Sequence, residues 1–204
     1  MKLYYLPGAC SLADHIVLEW TGLPYTVVAV PREELKTAYL AINPAGSVPA
    51  LQLPGGEVIA QNLAILDYLA HLAPEAGLEG DGTLLGRANV LRWTAFLNSD
   101  VHKNFSPLFS AGQFVDGDEA QRDLCQKAAA RLRRQFEQLD AQIGDGRWLV
   151  DDRRSIADPY LFVILRWARA KQLDLGELDN LARFFDAMNA DAGVQAALKA
   201  EGLA

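Results

Sequence analysis

The periodicity of apolar residues changes once along the chain, and this change constrains the fold more than any other sequence feature. Residues 1–72 alternate short strand-like runs with helical spacing, whereas residues 84–204 show helical spacing alone. Residues 74–83, between them, are rich in Gly, Pro and acidic residues, which is typical of a linker. The sequence therefore predicts an α+β fold with a mixed N-terminal domain over 1–73, a linker over 74–83 and an all-helical bundle over 84–204.

The N-terminal region has the predicted element order β-α-β followed by β-β-α. Runs of apolar, β-branched and aromatic residues predict four strands, at residues 2–6, 25–30, 47–53 and 57–60. Helical spacing occurs at residues 11–20 and from Asn62 to Leu72. The first two strands flank a helix, which favours a parallel pair, and the last two flank a Pro-Gly-Gly turn, which favours an antiparallel hairpin. The segment between the second and third strands fits either a short helix or an irregular loop.

Helical spacing in the second half predicts one long helix near its start and four more after it. The predicted helices are residues 84–101, 119–143, 158–170, 180–190 and 194–200. The pair His102-Lys103 would end the first of these, where positive groups suit the helix dipole. Ser155 and Asp158 form a capping box at the start of the third, and we interpret this motif as structural.

Charge and composition argue against several functional classes. The 204 residues carry 26 acidic and 19 basic side chains, without a basic run that would neutralise nucleic-acid phosphates. No apolar stretch approaches the ~20 residues of a membrane span, and no signal-peptide pattern precedes the first strand. The three histidines are not at metal-ligand spacing, so we expect no metal. Cys10 and Cys125 do not resemble a disulfide framework, which favours a cytoplasmic location.

Cys10 lies where the first predicted strand stops and the first helix begins. A thiol at a helix N-terminus faces unpaired N–H groups and the positive end of the macrodipole, and both favour the thiolate. The pKa of such a thiol can fall from about 8.5 into the range of roughly 3.5–7.5. A buried residue that packs the strand–helix junction is the alternative, and position alone leaves both interpretations open.

Two further junctions have a structural and a functional interpretation. Pro49 either starts a strand in the trans form or follows a cis bond that turns the backbone of Val48 outward for pairing with an extended peptide. Gln61 and Asn62 stand where the fourth strand gives way to a helix. Asn62 is a good N-cap, and the same pair of amides would also suit a carboxylate and an ammonium group. Outside these junctions, His102 is a lone histidine, and such a residue is more often structural or solvated than catalytic. Trp167 is interpreted as a core or interface residue.

Taken together, five segments resemble the glutathione transferase family, and more closely its bacterial beta class. They occur in the family's order at residues 3–12, 42–51, 61–69, 101–109 and 155–158. The first contains Pro-Gly-Ala-Cys-Ser, the second Asn-Pro-Ala-Gly-Ser-Val-Pro, and the fourth the active-site wall with His102 and Phe109. Any single segment is a weak signal, whereas the ordered set is specific.

The resemblance implies a thioredoxin-like N-terminal domain, a helical C-terminal domain and a homodimer. It implies that glutathione is the co-substrate, that Pro49 is cis and that Val48 holds the cysteinyl backbone. Cys10 and His102 would face the glutathione sulfur, while Gln61 and Asn62 would take the γ-glutamyl end. Lys36 would bind the glycyl carboxylate, and Asp100 and Lys103 would reach toward the partner subunit's ligand.

We therefore expect a glutathione transferase that conjugates glutathione to small electrophiles, with possible thiol–disulfide exchange through Cys10 on disulfide substrates. Two alternatives stay open: a glutathione-dependent thiol transferase or peroxidase, and a binding protein that kept the fold without the chemistry. Asn62, where the family usually has Ser, Thr or Gly, and Ala45, where it often has a basic residue, favour the binding protein. The presence of Cys10 and His102 favours an enzyme.

Overall fold

The computed structural model describes residues 1–204 and has a four-stranded mixed sheet in its N-terminal region. The elements there are β1 (Lys2–Tyr5), α1 (Ser11–Thr21), β2 (Thr26–Ala29), β3 (Ala50–Gln52), β4 (Val58–Ala60) and α2 (Asn62–Leu72). The strand order is β2-β1-β3-β4, with β1 parallel to β2 and antiparallel to β3, and with β3 antiparallel to β4. The predicted β-α-β and β-β-α order is confirmed. The ambiguous segment forms two 3₁₀ helices, Arg32–Glu34 and Ala38–Ala41.

The first helix, α1, lies at the centre of the molecule. Its residues from Ser11 to Leu18 are all buried, and it packs against α2 and also against two helices of the C-terminal region. Gly22 ends it in the left-handed conformation with φ 64°, and its N–H donates to the carbonyl of Leu18 at 3.2 Å. Glycine adopts this conformation without the Cβ clash of other residues, so the helix stops where the Gly-Leu-Pro sequence predicts.

The C-terminal region is helical, as the sequence predicts. Its α-helices are α3 (Leu84–Ala95), α4 (His102–Ser110), α5 (Asp118–Ile143), α6 (Ala157–Ala170), α7 (Asp179–Asn189) and α8 (Ala192–Ala200). The predicted capping box is present at the start of α6, since the Asp158 carboxylate accepts from the N–H of Ser155 at 2.7 Å. One buried apolar cluster of 41 residues joins both regions, and Leu12, Leu66 and Phe136 all belong to it. The domain boundary at 74–83 stays a prediction.

The long helix predicted to end near Val101 differs in the structure. The α-helical turns of α3 give way at Phe96–Val101 to a π-helical segment, and the chain then continues as α4 to Ser110. His102 therefore lies at the start of α4 rather than at a helix C-terminus, so the predicted capping role for His102 and Lys103 is wrong. Single π-helical segments within longer helices often occur at functional sites.

Candidate active site

Two cavities between the sheet and the helical region share Cys10 and His102 in their linings. The first, of about 310 Å³, is lined mainly by polar groups: Cys10, Ser47, Val48, Pro49, Gln61, Asn62, Asn98, His102 and Lys103. The second, of about 440 Å³, is lined by Leu6, Pro7, Gly8, Ala9, Cys10, Arg32, His102, Phe109 and Trp167. We call them the polar cavity and the aromatic cavity. A reactive atom held between Cys10 and His102 would be open to both.

Of the two interpretations of Cys10, the structure favours the buried residue at the strand–helix junction, with a protonated thiol, over the thiolate. Its Sγ donates to the carbonyl oxygen of Val48 at 3.6 Å, and the residue is 9% exposed. Burial, together with the charge of Asp14, raises the pKa of Cys10 to about 12. The backbone N–H groups at the start of α1 act in the opposite direction, but the loss of hydration outweighs them. Cys10 is therefore a hydrogen-bond donor at neutral pH.

Asn62 is buried and does not cap α2 with its side chain. Gln61 occupies the N-cap position with φ 75°, and the Nδ2 of Asn62 donates to the Cys10 carbonyl and to Asp14 Oδ2, both at 2.9 Å. The predicted side-chain cap is wrong. Leaving the buried carboxyl group of Asp14 without a donor would cost more free energy than leaving the N–H groups at the start of α2 to solvent, so the Asn62 side chain binds Asp14. The backbone N–H of Asn62 has no partner in the structure and belongs to the lining of the polar cavity.

The segment before β3 presents unpaired backbone to the same cavity. The Val48–Pro49 peptide bond is cis, which confirms the expectation from the resemblance. The backbone N–H of Val48 has no hydrogen-bond partner, whereas its carbonyl accepts only from Cys10 Sγ. Behind it, the Ser47 carbonyl accepts from Asn43 Nδ2 at 2.7 Å and from the Tyr39 hydroxyl at 3.2 Å. These two bonds hold the segment from the side away from the cavity.

His102 is held by a chain of hydrogen bonds that fixes its tautomer. The Tyr160 hydroxyl donates to Asn98 Oδ1 at 2.9 Å and lies 2.9 Å from His102 Nδ1. Because the hydroxyl has one proton and gives it to Asn98, Nδ1 is the protonated nitrogen of His102 and Nε2 is left as an acceptor. Burial, with Lys103 alongside, lowers the pKa of His102 to about 4, so the ring is neutral at pH 7. The π-helical segment carries Asn98 and ends directly before His102.

The other predicted site residues divide into two groups. Gln61 and Lys103 line the polar cavity, as Cys10 and His102 do. Lys36 and Asp100 do not line it. The Nζ of Lys36 lies 3.5 Å from the carbonyl of Ala45, beside the turn that leads to Ser47. Asp100 is exposed, and its carbonyl accepts from Asn104.

Four residues of the site were missed by sequence reasoning, and one of them is Arg32, which lines the aromatic cavity. Asn98 and Tyr160 orient His102, although neither has a sequence motif that separates it from an ordinary helix residue. Trp167 was interpreted as core, but it lines the aromatic cavity, and its ring centroid lies 4.7 Å from that of His102.

The loop that precedes Cys10 is held by the C-terminal region. The Gly8 carbonyl accepts from Trp167 Nε1 at 2.8 Å, and the Gly8 N–H donates to Glu201 Oε2 at 3.0 Å. The other carboxylate oxygen of Glu201 lies 3.0 Å from His15 Nδ1, and both side chains are buried. The end of the chain thus contacts the loop that forms the floor of the aromatic cavity.

The two cysteines and the potential metal ligands can be described from the structure. Cys10 and Cys125 are not bonded to each other, which agrees with the sequence. No group of three histidine, cysteine, aspartate or glutamate side chains is arranged to hold a metal ion. None of the helices combines the length and the apolar character that crossing a membrane requires.

The donors and acceptors of the polar cavity suit an extended peptide-like ligand with charged ends.

Comparison with known proteins identifies the family. Models of the glutathione S-transferase N-terminal and C-terminal domains match residues 9–72 and 92–192. Glutathione S-transferase GST-4.5 of Xanthomonas campestris is 47% identical over the whole length of both chains. The chain belongs to the glutathione S-transferase family.

Solved structures agree with this assignment. A glutathione S-transferase from Xylella fastidiosa superimposes with a TM-score of 0.96 at 46% identity, covering 100% of this chain and 99% of the other. A bacterial beta class glutathione S-transferase from Sphingomonas chungbukensis gives a TM-score of 0.88 at 39% identity over the full length of both. A sphingomonad glutathione S-transferase complexed with glutathione gives 0.86 at 37% identity, also over both full lengths. The expected resemblance to the beta class and the expected fold are confirmed.

Proposed function

We propose that the protein is a glutathione transferase, which binds reduced glutathione in the polar cavity and joins its sulfur to small electrophiles held in the aromatic cavity. One observation carries this proposal: the two cavities share Cys10 and His102 in their linings, so that one sulfur atom can contact both side chains and face the second cavity. The family membership and the glutathione-bound relative support the same assignment.

The unpaired backbone groups of the polar cavity account for glutathione binding in this proposal. Val48 pairs through its N–H and carbonyl with the cysteinyl residue of glutathione, as an added strand would. The N–H of Asn62 and the side chain of Gln61 bind the γ-glutamyl end at the start of α2, where the helix dipole favours a carboxylate. Lys103 adds a positive charge, with Lys36 nearer the glycyl end and Asp100 reaching toward the partner subunit's ligand.

In the proposed reaction, Cys10 and His102 both act on the glutathione sulfur. His102 Nε2 accepts the glutathione thiol proton, and the thiolate beside it raises the basicity of the ring above that of the empty site. Cys10, which stays protonated, donates its S–H to the thiolate instead of to Val48. The sulfur then attacks the electrophilic carbon, a C–S bond forms, and the leaving group departs with its electron pair. The proton passes from His102 to solvent.

Thiol–disulfide exchange through Cys10 is the second candidate function, because Cys10 lines both cavities and lies within reach of a bound disulfide. Its raised pKa makes it a poor nucleophile at neutral pH, which places conjugation first. A Cys10→Ala variant separates the two functions. Conjugation that persists while exchange is lost assigns Cys10 to exchange alone.

We also propose a homodimer in the cytoplasm. Leu84 and Leu85 are 90% and 72% exposed at the start of α3, and Leu72 and Val58 add further exposed apolar surface on α2 and β4. Exposed apolar residues of this size favour burial against a second copy. The unbonded cysteines suit a reducing compartment. Sedimentation analysis that finds only monomers at micromolar concentration contradicts the dimer, and cell fractionation tests the location.

Calorimetric titration of the reduced protein with reduced glutathione tests the proposed function. We expect saturable binding at micromolar to low millimolar concentration, together with turnover of an aromatic chloride. A Val48→Pro variant, which lacks the unpaired N–H, should bind glutathione more weakly, while Cys125→Ala should match the wild type. A folded protein that gives no heat up to several millimolar glutathione is a binding protein for another ligand, and the transferase assignment is then wrong.

A further inference from the structure

The aromatic cavity has an unbalanced charge. Apart from the neutral His102, Arg32 is the only side chain in its lining with a formal charge at pH 7, and no carboxylate lines either cavity. This is unexpected in a chain with 26 acidic and 19 basic residues. The walls are apolar, and the rings of Phe109 and Trp167 meet edge to face with centroids 5.3 Å apart.

Arg32 has no partner for its guanidinium group. It begins a 3₁₀ helix directly after Pro31, and neither of the next two residues, Glu33 and Glu34, forms an ion pair with it. A guanidinium without a carboxylate partner at the edge of a cavity is suited to a ligand that brings its own anion.

A second cation, Lys171, contacts one wall residue of this cavity from the helical region. The Nζ of Lys171 is 5.2 Å from the centroid of the Phe109 ring, and no carboxylate is paired with this lysine. Phe109 itself lines the cavity. Arg32 therefore lines an apolar space that also includes Cys10 and His102, and Lys171 contacts the Phe109 wall of that space.

We propose that the aromatic cavity selects electrophiles with a flat apolar body and a carboxylate or similar anionic group, and that Arg32 binds this anion. This inference rests on the proposed transferase function and names its substrate class. Trp167 and Phe109 contact the flat body, and the electrophilic carbon is directed toward the sulfur between Cys10 and His102. The anion takes no part in the bond changes: the sulfur displaces chloride from the ring, chloride leaves with the C–Cl electron pair, and the thiol proton goes to solvent.

A pair of aromatic chlorides tests the selection. We compare 4-chloro-3,5-dinitrobenzoate with the uncharged 4-chloro-3,5-dinitrobenzamide in the wild type and in Arg32→Gln. The two chlorides differ in intrinsic reactivity, but this difference is the same for both enzymes and cancels when their acid-to-amide ratios are compared. The ratio of kcat/KM for acid over amide should fall about fivefold in Arg32→Gln and further in Arg32→Glu. Arg131→Gln, at an exposed arginine on α5 outside both cavities, is the matched control and should keep the wild-type ratio.

Ionic strength gives an independent check. Added salt screens charges, so the preference of the wild type for the acid should fall at about 0.5 M salt, roughly three times the physiological ionic strength, whereas that of Arg32→Gln should barely change. An Arg32→Gln enzyme that keeps the wild-type ratio, or that loses activity on both substrates equally, overturns the proposal. Because Arg32 is exposed, thermal unfolding is expected to show an intact fold in each variant.

A binding experiment separates this inference from the proposed function. The unreactive 3,5-dinitrobenzoate and 3,5-dinitrobenzamide should quench the fluorescence of Trp167, the tryptophan that lines the cavity. The wild type should bind the acid more tightly, and Arg32→Gln should bind the two equally. Equal binding in the wild type overturns the anion site whatever the turnover. Absence of turnover with either chloride, despite tighter binding of the acid, overturns the transferase function and leaves the anion site supported.

Discussion

At Cys10 two effects on the thiol oppose each other, and their sizes decide its state. A helix N-terminus favours a negative charge by about 0.3–2 kcal/mol. Withdrawing a charge from water into a protein interior can shift a pKa by up to roughly 3–5 units, at about 1.4 kcal/mol for each unit. Burial therefore dominates, and the thiol stays protonated although it lies at the start of α1. Position in sequence left both the thiolate and the buried residue open, because it does not give the relative sizes of the two effects.

The raised pKa of Cys10 predicts a thiol that reacts slowly. In a Cys125→Ala protein, where Cys10 is the only cysteine, we expect reaction with a chromogenic aromatic disulfide at pH 8 to be at least ~100-fold slower than in the same chain unfolded in urea. The reason is the small thiolate fraction at a pKa of about 12. Absorbance of the released aromatic thiolate measures both rates. Rates within tenfold of each other would mean that the folded protein holds a thiolate.

The Tyr160 hydroxyl predicts a second effect at the residue scale. Tyr160→Phe removes the acceptor of the His102 Nδ1 proton, so the ring is no longer held with Nε2 toward the sulfur. We expect kcat to fall about tenfold, the equivalent of one hydrogen bond to a group that becomes charged, with little change in the KM for glutathione. Steady-state kinetics beside Tyr68→Phe, which removes a hydroxyl outside the site, provide the check. An increase in KM at constant kcat would assign Tyr160 to ligand binding instead.

Among the secondary-structure elements, α1 and α2 are joined by a buried polar contact, which local patterns did not reveal. The amide of Asn62 connects Asp14 and the Cys10 carbonyl, so the start of α2 is tied to the start of α1. One carboxyl oxygen of Asp14 has no partner. Burial, and secondarily the charge of Glu201, raises the pKa of Asp14 well above its ordinary value. The contact sets the relative position of Cys10 and the N–H groups of α2.

This contact predicts a pH dependence of stability. Because the pKa of Asp14 is higher in the folded chain than the unfolded value of about 3.9, the folded state binds more protons between these two pKa values. The contribution of Asp14 to the free energy of unfolding is therefore largest at low pH and is lost as pH rises through the folded pKa. Asp14→Asn keeps an acceptor for Asn62 without the ionisation. Urea unfolding should show that the stability of this variant relative to the wild type increases from pH 4 to pH 8, and a constant difference would contradict the shift.

On the scale of the whole molecule, the sequence predicted the elements better than the site. Each strand and helix follows from a periodicity of apolar residues that are close together in sequence. The order of these elements predicted the sheet pairing. The site depends on contacts between distant positions: Tyr160 bonds to Asn98 across 62 positions, and Glu201 to Gly8 across 193. The π-helical segment before His102 also depends on packing that no local pattern records. The residues that the resemblance supplied, Val48 and Gln61 among them, were predicted because a family motif carries such long-range information.

The contact between Glu201 and Gly8 predicts that the end of the chain contributes to the aromatic cavity. Glu201→Ala leaves the Gly8 N–H and the His15 ring without an acceptor in a buried position, which should lower the free energy of unfolding by about 2–3 kcal/mol. The only hydrogen bond that then joins the cavity-floor loop to the C-terminal region is that of Trp167, so kcat/KM for electrophiles should fall more than the affinity for glutathione, whose proposed contacts at Val48 and Asn62 are untouched.

Urea unfolding, electrophile kinetics and glutathione calorimetry on Glu201→Ala measure these effects separately, and Lys199→Ala, at an exposed position on α8, is the matched control. Glu201→Gln retains an oxygen for the Gly8 N–H, so it should recover part of the lost activity if the hydrogen bond positions the loop. Equal losses of glutathione affinity and electrophile turnover in Glu201→Ala would show that the residue supports the fold as a whole. Selective loss of turnover, with partial recovery in Glu201→Gln, would show that the C-terminal residues position the loop carrying Cys10.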